Sequence, residues 1–405
     1  MRWFRGVILL LVAVTCYLAA AAGPVQASTV PALSLSQSSG PAGTAVTVTG
    51  TGFPKKTTGT VSYGARVTGF TASATGYFAV QLVMPDAGTP QIQVQAVTGR
   101  TSASASFTLV PAPQLLPQPA SARLRFGVGT PGGPAAGAEL DEVAWLAGEA
   151  PSIILSYKDF NQPPPLAELD SVRARGAATL LTWEPWTWGG GTNQPAYSLD
   201  RISAGDFDAY LRQWGQALAT WGHPVMLRFG HEMNGDWYPW SEQANSNGPG
   251  DYIAAWRHVH DVVVSAGATN VTWVWNPNVP YSAASGLGGL YPGASYVDAV
   301  ALDGYNWGTS ASWSTWVSPT ELFDDGLTQL RALAPGKQII IAETSSAEQG
   351  GSKAAWNTSL ISYLAAQPDV TAVVWFNFNK ETDWRINSSP TSAEALRKAL
   401  AARLP

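Results

Sequence analysis

The stretch PVMLRFGHE (Pro224–Glu232) is an apolar run of strand length that carries no acid until its last residue, Glu232. Similar runs recur along the rest of the chain: RLRFGVG from Arg123, PSIILSY from Pro151, ATLLTWEPW from Ala178, VTWVWNPN from Val271, DAVALDGYNW from Asp298, QIIIAETS from Gln338 and VTAVVWFNFN from Val370. Between them lie amphipathic segments of helix length, such as DFDAYLRQWGQALATWG and SPTELFDDGLTQLRALAPG, the second with a Ser cap and a Gly stop. Eight strand-then-helix units in about 280 residues predict an α/β domain folded as a (β/α)8 TIM barrel over residues 122–405. A doubly wound open sheet is the rival, and no glycine-rich phosphate loop follows the first strand to favour it.

Upstream the pattern changes. Residues 28–110 are rich in Thr, Ser, Val, Ala and Gly, with alternating runs such as TAVTVTGTGF and PQIQVQAV between Gly and Pro signals, which predicts a small all-β immunoglobulin-like sandwich. VPAPQLLPQPAS (Val110–Ser121) is a proline-rich linker, extended and fairly stiff, so that 111–121 separates two folded units. The start reads Met1-Arg-Trp-Phe-Arg5, an apolar run to about Ala22, then Val25-Gln-Ala27: the order of a secretory signal over 1–27, cleaved after Ala27. A retained anchor is the alternative, although the run falls just short of a comfortable bilayer span. The single cysteine, Cys16, lies in that segment, so the remainder holds neither thiol nor disulfide. Loss of the segment would remove two arginines and no acid from a chain of net charge −5. A mildly acidic protein without a basic run has no electrostatic footing for nucleic acid or anionic lipid, and a secreted monomer is expected. Eighteen tryptophans are the informative count, since indole faces suit the apolar faces of sugar rings as well as a large core.

Barrel enzymes carry their chemistry at the C-terminal ends of the strands. Here those ends hold Glu184, Glu232, Asp303 with Tyr305, and Glu343. Glu232 is in step with Arg228, and Asp303 with Tyr305, so each pair is placed to face the interior. Two carboxyl groups across one mouth are the minimal equipment for cleaving a glycosidic bond, one protonated toward the leaving oxygen and one ionised to attack the anomeric carbon. HEMN around Glu232 supplies a neutral imidazole and an amide, whereas AETS around Glu343 has Tyr305 as a hydroxyl donor. A structural ion pair or a strand-end cap is the plainer reading for any one of these acids, above all for Glu184. No metal or other cofactor is expected: HEMNG lacks the second histidine of HExxH, and His258 and His260 face different ways on a helix. No GxSxG elbow is present for a serine hydrolase.

With these residues in view, residues 122–400 resemble glycoside hydrolase family 26, whose best-known members are endo-β-1,4-mannanases. RFGHEMNGDWYPW is similar to that family's acid/base motif, IIIAETSS to its nucleophile strand, and ALDGYNW to the segment whose tyrosine meets the nucleophile. The resemblance implies Glu232 as general acid/base, Glu343 as nucleophile, His231 and Arg228 as orienting groups, Tyr305 as a donor to Glu343, and Trp237 and Trp375 as sugar-stacking faces. It also implies retention of anomeric configuration, with carboxyls about 5 to 5.5 Å apart. Many mannanases of the family have a histidine in a Trp-His context on an earlier strand end, where this chain has Glu184 after Trp183. Mannan is therefore the first substrate expected, with mixed-linkage β-1,3-1,4-glucan and β-1,3-xylan open beside it. A carbohydrate-binding barrel without catalysis is the reading from another class. The stretch LSQSSGPAGTAVTVTGTGF resembles the start of an IPT/TIG-type immunoglobulin-like domain, which implies a spacer or attachment module.

Overall fold

The computed structural model describes residues 30–36, 38–40, 45–85, 91–109, 124–281 and 286–403; the expected signal and the proline-rich linker lie outside them. The chain divides at Val110 into two compact units.

The N-terminal unit is all β. β1 (Ala32–Leu35), β3 (Ala45–Thr51) and β6 (Phe78–Val83) form one sheet. β2 (Ser39–Gly40), β4 (Thr58–Tyr63), β5 (Arg66–Thr71), β7 (Gln91–Thr98) and β8 (Thr101–Leu109) form the other. Burial along β7 alternates strictly, as the period-two sequence requires. Val46, Val48, Phe78 and Leu82 of the first sheet share one core with Val61, Ile92, Val94 and Phe107 of the second.

The second unit is a closed parallel barrel of β9 (Arg125–Gly129), β10 (Ile153–Asp159), β11 (Ala178–Glu184), β12 (Val225–Phe229), β13 (Val271–Trp275), β14 (Ala299–Asn306), β15 (Ile339–Ser346) and β16 (Val370–Phe376). Each strand pairs with the next in the chain, and β16 closes on β9. All eight expected strands are present. The helices are α1 (Gly137–Ala147), α2 (Leu166–Ala174), α3 (Leu199–Ser203), α4 (Asp208–Trp221), α5 (Asp251–Ser265), α6 (Pro319–Leu333), α7 (Lys353–Ala365) and α8 (Pro390–Ala402).

Seven of the eight expected strand-then-helix units hold; the fifth is corrected. Between β13 and β14 the described residues contain only a short 3-10 turn, Leu287–Gly289. The link is rich in Pro, Gly and Ser and has no 3.6-residue apolar period to bury as a helix. α6 starts as its sequence predicts: the Ser318 hydroxyl accepts from the Glu321 backbone N–H while the Glu321 carboxylate accepts from Ser318, a capping box.

Alternation splits each strand between two cores. Ile153, Leu155, Leu180, Val274, Ala301, Ile340 and Val374 fill the barrel interior, whereas Trp183, Leu227, Trp275, Leu302, Ile341 and Trp375 pack outward among the helices. Small Ala299, Ala301, Ala342 and Ala372 sit among larger interior neighbours, which lets the layers interlock.

Candidate active site

Following the interior phase toward the C-terminal mouth, apolar side chains give way to polar ones. On β10 Ile153 and Leu155 lead to Tyr157; on β11 Leu180 leads to Thr182 and Glu184; on β12 Met226 leads to Arg228; on β14 Ala299 and Ala301 lead to Asp303 and Tyr305. Arg228 is fully buried and ties four strands together. Its Nε donates to Thr182 Oγ1 at 2.5 Å, one terminal nitrogen donates to Asn276 Oδ1 and Asp303 Oδ2, both at 2.9 Å, and the other donates to Glu343 Oε1. A planar fork of fixed donors does this where an ammonium could not.

Glu343 reaches that fork through an irregularity in β15. Leu302 of β14 pairs with Ile341, but Asp303 pairs with Glu343, so Ala342 is the extra residue of a β-bulge. Regular alternation would send Glu343 outward, opposite to interior Ala342; the bulge brings both to the inner side. There Glu343 Oε1 also accepts from Tyr157 Oη at 2.8 Å, and Oε2 accepts from Tyr305 Oη at 2.6 Å. Burial, and next the charge of Glu343, raise both phenols well above their ordinary range, so they stay protonated donors. This is a donor set for a carboxylate held in one orientation.

Glu232 is positioned differently. β12 ends at Phe229, so strand alternation does not aim it. The chain turns at Gly230 (φ 50°), and Glu232 itself has φ 53°, the left-handed region, with its N–H donating to Asn276 O at 2.7 Å. Strain of this kind is characteristic of functional positions. The carboxyl accepts one bond from Trp237 Nε1, at 2.8 Å on Oε2. Burial, and then the nearby charge of Glu343, push Glu232 up to about 8. The two carboxyls thus sit in opposite settings: Glu343 among three donors including a guanidinium, Glu232 buried and holding its proton.

His231 stands between acids, with Nδ1 3.9 Å from Glu184 Oε1 and Nε2 4.0 Å from Glu343 Oε1. Burial and then the Arg228 charge hold its imidazole well below the usual range, hence neutral, as the sequence suggests. Glu184 is buried and accepts from two indoles, Trp186 Nε1 at 3.1 Å and Trp188 Nε1. Burial pushes it up to about 7.

Of the expected residues, Glu232, Glu343, Arg228, His231, Asp303, Tyr305 and Glu184 converge on one mouth, and Trp237 lies beside Glu232, 37% exposed and stacked on Tyr281 with ring centroids 5.7 Å apart. The expectation that Trp375 stacks on a sugar is corrected. Trp375 is fully buried on the outer face of β16, its indole donating to Trp384 O; its neighbour Phe376 has the inward phase and stacks on Phe378 instead. Arg228 and Asp303 are fully buried: Arg228 bonds Glu343, as an orienting group should, and Asp303 bonds Arg228. The sequence reading missed Tyr157, Thr182 and Asn276. Tyr157 carried a usable signal, since it is in step with Ile153 and Leu155 at the end of its run.

His231, Asp303 and Glu343 bring oxygen and nitrogen atoms within 4.8 Å of one another, a spacing that could hold an ion. Arg228 already bonds both acids, so the positive charge there belongs to the protein itself.

Residues 192–366 match the profile of glycosyl hydrolase family 26. The chain is 43% identical over 252 residues to Endoglucanase H of Acetivibrio thermocellus, covering 60% of this chain and 26% of that protein. It is 37% identical over 90 residues to mannan endo-1,4-beta-mannosidase A and B of Caldalkalibacillus mannanilyticus, covering 21% of this chain and 17% of that one. The chain therefore spans about a quarter or less of the length of these curated relatives. Among solved structures, the catalytic domain of the Bacillus sp. JAMB-750 GH26 endo-beta-1,4-mannanase superposes with a TM-score of 0.53 at 21% identity, covering 69% of this chain and 86% of that one, a likeness of fold.

Proposed function

We propose that the barrel is a glycoside hydrolase domain of family 26 and that the chain is a secreted, monomeric, retaining endo-β-glycanase. The observation that carries the reading is the contrast between Glu343, fixed by Arg228, Tyr157 and Tyr305, and Glu232, buried and protonated across the same mouth. Glu343 attacks the anomeric carbon as the bond to the leaving oxygen breaks, and Glu232 delivers its proton to that oxygen. Water then attacks the same carbon, giving a proton back to Glu232 as the glycosyl ester to Glu343 breaks. The neutral His231 keeps a second positive charge away from the pair.

Two observations bear on the sugar. The 43% likeness to a protein named an endoglucanase spans 252 residues, and Glu184 stands after Trp183 where many mannanases have histidine, which favours a β-glucan, mixed-linkage included. The shorter likeness to mannan endo-1,4-beta-mannosidases keeps mannan as the second reading. The extracellular setting is supported by the order of residues 1–27, and the spacer role of the sandwich by its IPT/TIG-like opening.

Lichenan, β-1,4-glucan, galactomannan, glucomannan and β-1,3-xylan digested in parallel test the reading. Reducing ends are expected from one or two of these polymers with the parent chain and none with Glu343→Gln. Binding without cleavage on every polymer would favour a carbohydrate-binding barrel and overturn the proposal.

A further inference from the structure

Glu184 has no step in the double displacement, yet it is buried at the end of β11 with both nearby indole N–H groups aimed at its Oε2. Those two tryptophans differ in what their rings do. Trp186 is half-buried and packs edge-on against Tyr238 and Trp240, with centroids 5.4 and 5.5 Å away. Trp188 leaves 47% of its surface open to solvent. It is held at both of its N–H groups: the indole by Glu184 and the backbone by Asp159 Oδ2 at 3.1 Å. The glycine run after it, Gly189-Gly190-Gly191, is braced as well, because Gln194 bonds the Thr187 N–H and the carbonyls of Thr187 and Gly191.

A large aromatic face that is rigid and open suits a ligand whose own face is flat and apolar, since little side-chain freedom remains to be lost on contact. The catalytic mouth is adjacent. Glu184 Oε1 lies 3.9 Å from His231 Nδ1, and His231 Nε2 lies 4.0 Å from Glu343 Oε1.

We propose that Trp188 is a stacking platform for one pyranose ring of the bound glycan on the β11 side of the cleft, and that Glu184 is the positioning residue that fixes it. The proposal rests on the glycan-cleaving reading of the site and extends it to a subsite. Its occupant is a sugar ring because the platform continues the cleft in which Glu343 attacks an anomeric carbon. Charge on Glu184 is not what the role needs; an acceptor oxygen at that point is.

Calorimetric binding of cello-, manno- and mixed-linkage oligosaccharides, from disaccharide to hexasaccharide, to the full chain carrying Glu343→Gln tests it. Adding Trp188→Ala is expected to weaken binding of the longer oligosaccharides roughly tenfold and to leave the shortest unchanged. Glu184→Ala should reproduce that loss alone and add nothing once Trp188 is alanine, the non-additivity of two residues acting as one unit. Glu184→Gln, whose amide oxygen still accepts an indole N–H, should bind like the background and guards against a folding defect. In the catalytically intact chain Trp188→Ala should raise KM on polymer with kcat nearly unchanged. Equal affinity of the background and its Trp188→Ala derivative across the series would overturn the platform. Losses from Glu184→Ala that persist without Trp188 would overturn the positioning role. A parent chain that binds but cuts no polymer would count against the hydrolase reading alone, because the binding series reads the subsite separately.

Discussion

Glu232 bears two costs at one position. A left-handed backbone at a residue with a Cβ costs about 1–2 kcal/mol, and its carboxyl is buried with a folded value pushed from 4.5 up to about 8. The sign of the pH effect follows. Between pH 4.5 and 8 the folded chain holds a proton that the unfolded chain has released, so the contribution to stability is complete below 4.5 and is lost as pH rises through 8. Glu184 adds the same sense of change over the window up to about 7. Glu232→Gln, which cannot ionise, should therefore melt close to the parent at pH 5 and clearly above it at pH 9; each pKa unit corresponds to about 1.4 kcal/mol. With Glu232 as the proposed general acid, kcat/KM should fall on the alkaline side with a midpoint near 8. Glu232→Gln should lose roughly 10²–10⁴-fold on substrates with poor leaving groups and far less on an activated aryl glycoside. Arg228→Met would leave Asp303 and Glu343 without their shared cation, a loss of about 3–5 kcal/mol read by denaturant melts. Much of this was legible in the sequence, because an acid that ends an apolar run has few plain reasons to be there. The left-handed turn that aims Glu232 was not, since nothing in HEMN demands a positive φ at a glutamate.

At the scale of the element, β15 decides whether there is a site. Its sequence, IIIAETSS, is uniformly buried and does not announce which side chains face inward; the bulge at Ala342 does that, and it arises from pairing with β14. Phase also explains the misplacement of Trp375. In VVWFNF any aromatic could face the mouth, but with Ala372 and Val374 inside, Trp375 must go outward and Phe376 inward. Beside the bulge, Gly304 permits close packing of α6: an added Cβ would lie 2.7 Å from Val279 Cγ1 and 2.9 Å from a ring carbon of Phe323. Gly304→Ala should cost about 1–3 kcal/mol in a denaturant melt through overpacking. Displacement of the strand that carries Asp303 and Tyr305 should lower kcat as well. A variant with parent stability would show that the helix yields freely there. The strands of the barrel were legible one by one from apolar runs; the lack of a helix among the described residues of the fifth link was legible only as a lack of period in NPNVPYSAASGLGGLYPGASY.

At the scale of the molecule the described residues form two compact units, one with its core between the two N-terminal sheets, the other with cores inside the barrel and between barrel and helices. Scanning calorimetry should accordingly show two unfolding transitions, and an inhibitory oligosaccharide should shift only the one belonging to the barrel. One cooperative transition would mean the units unfold as a whole. The division itself was readable from composition, since Thr/Ser/Val alternation and βα alternation bury different shapes of surface. What composition could not give is the convergence of Glu232 and Glu343 on one mouth, where the proposed mechanism has them act on one glycosidic bond. Proton NMR of the first sugar ends released from whichever polymer is cut tests that convergence most directly. The account predicts that the β-anomer forms first and the α-anomer only later by mutarotation; initial release of the α-anomer would contradict it.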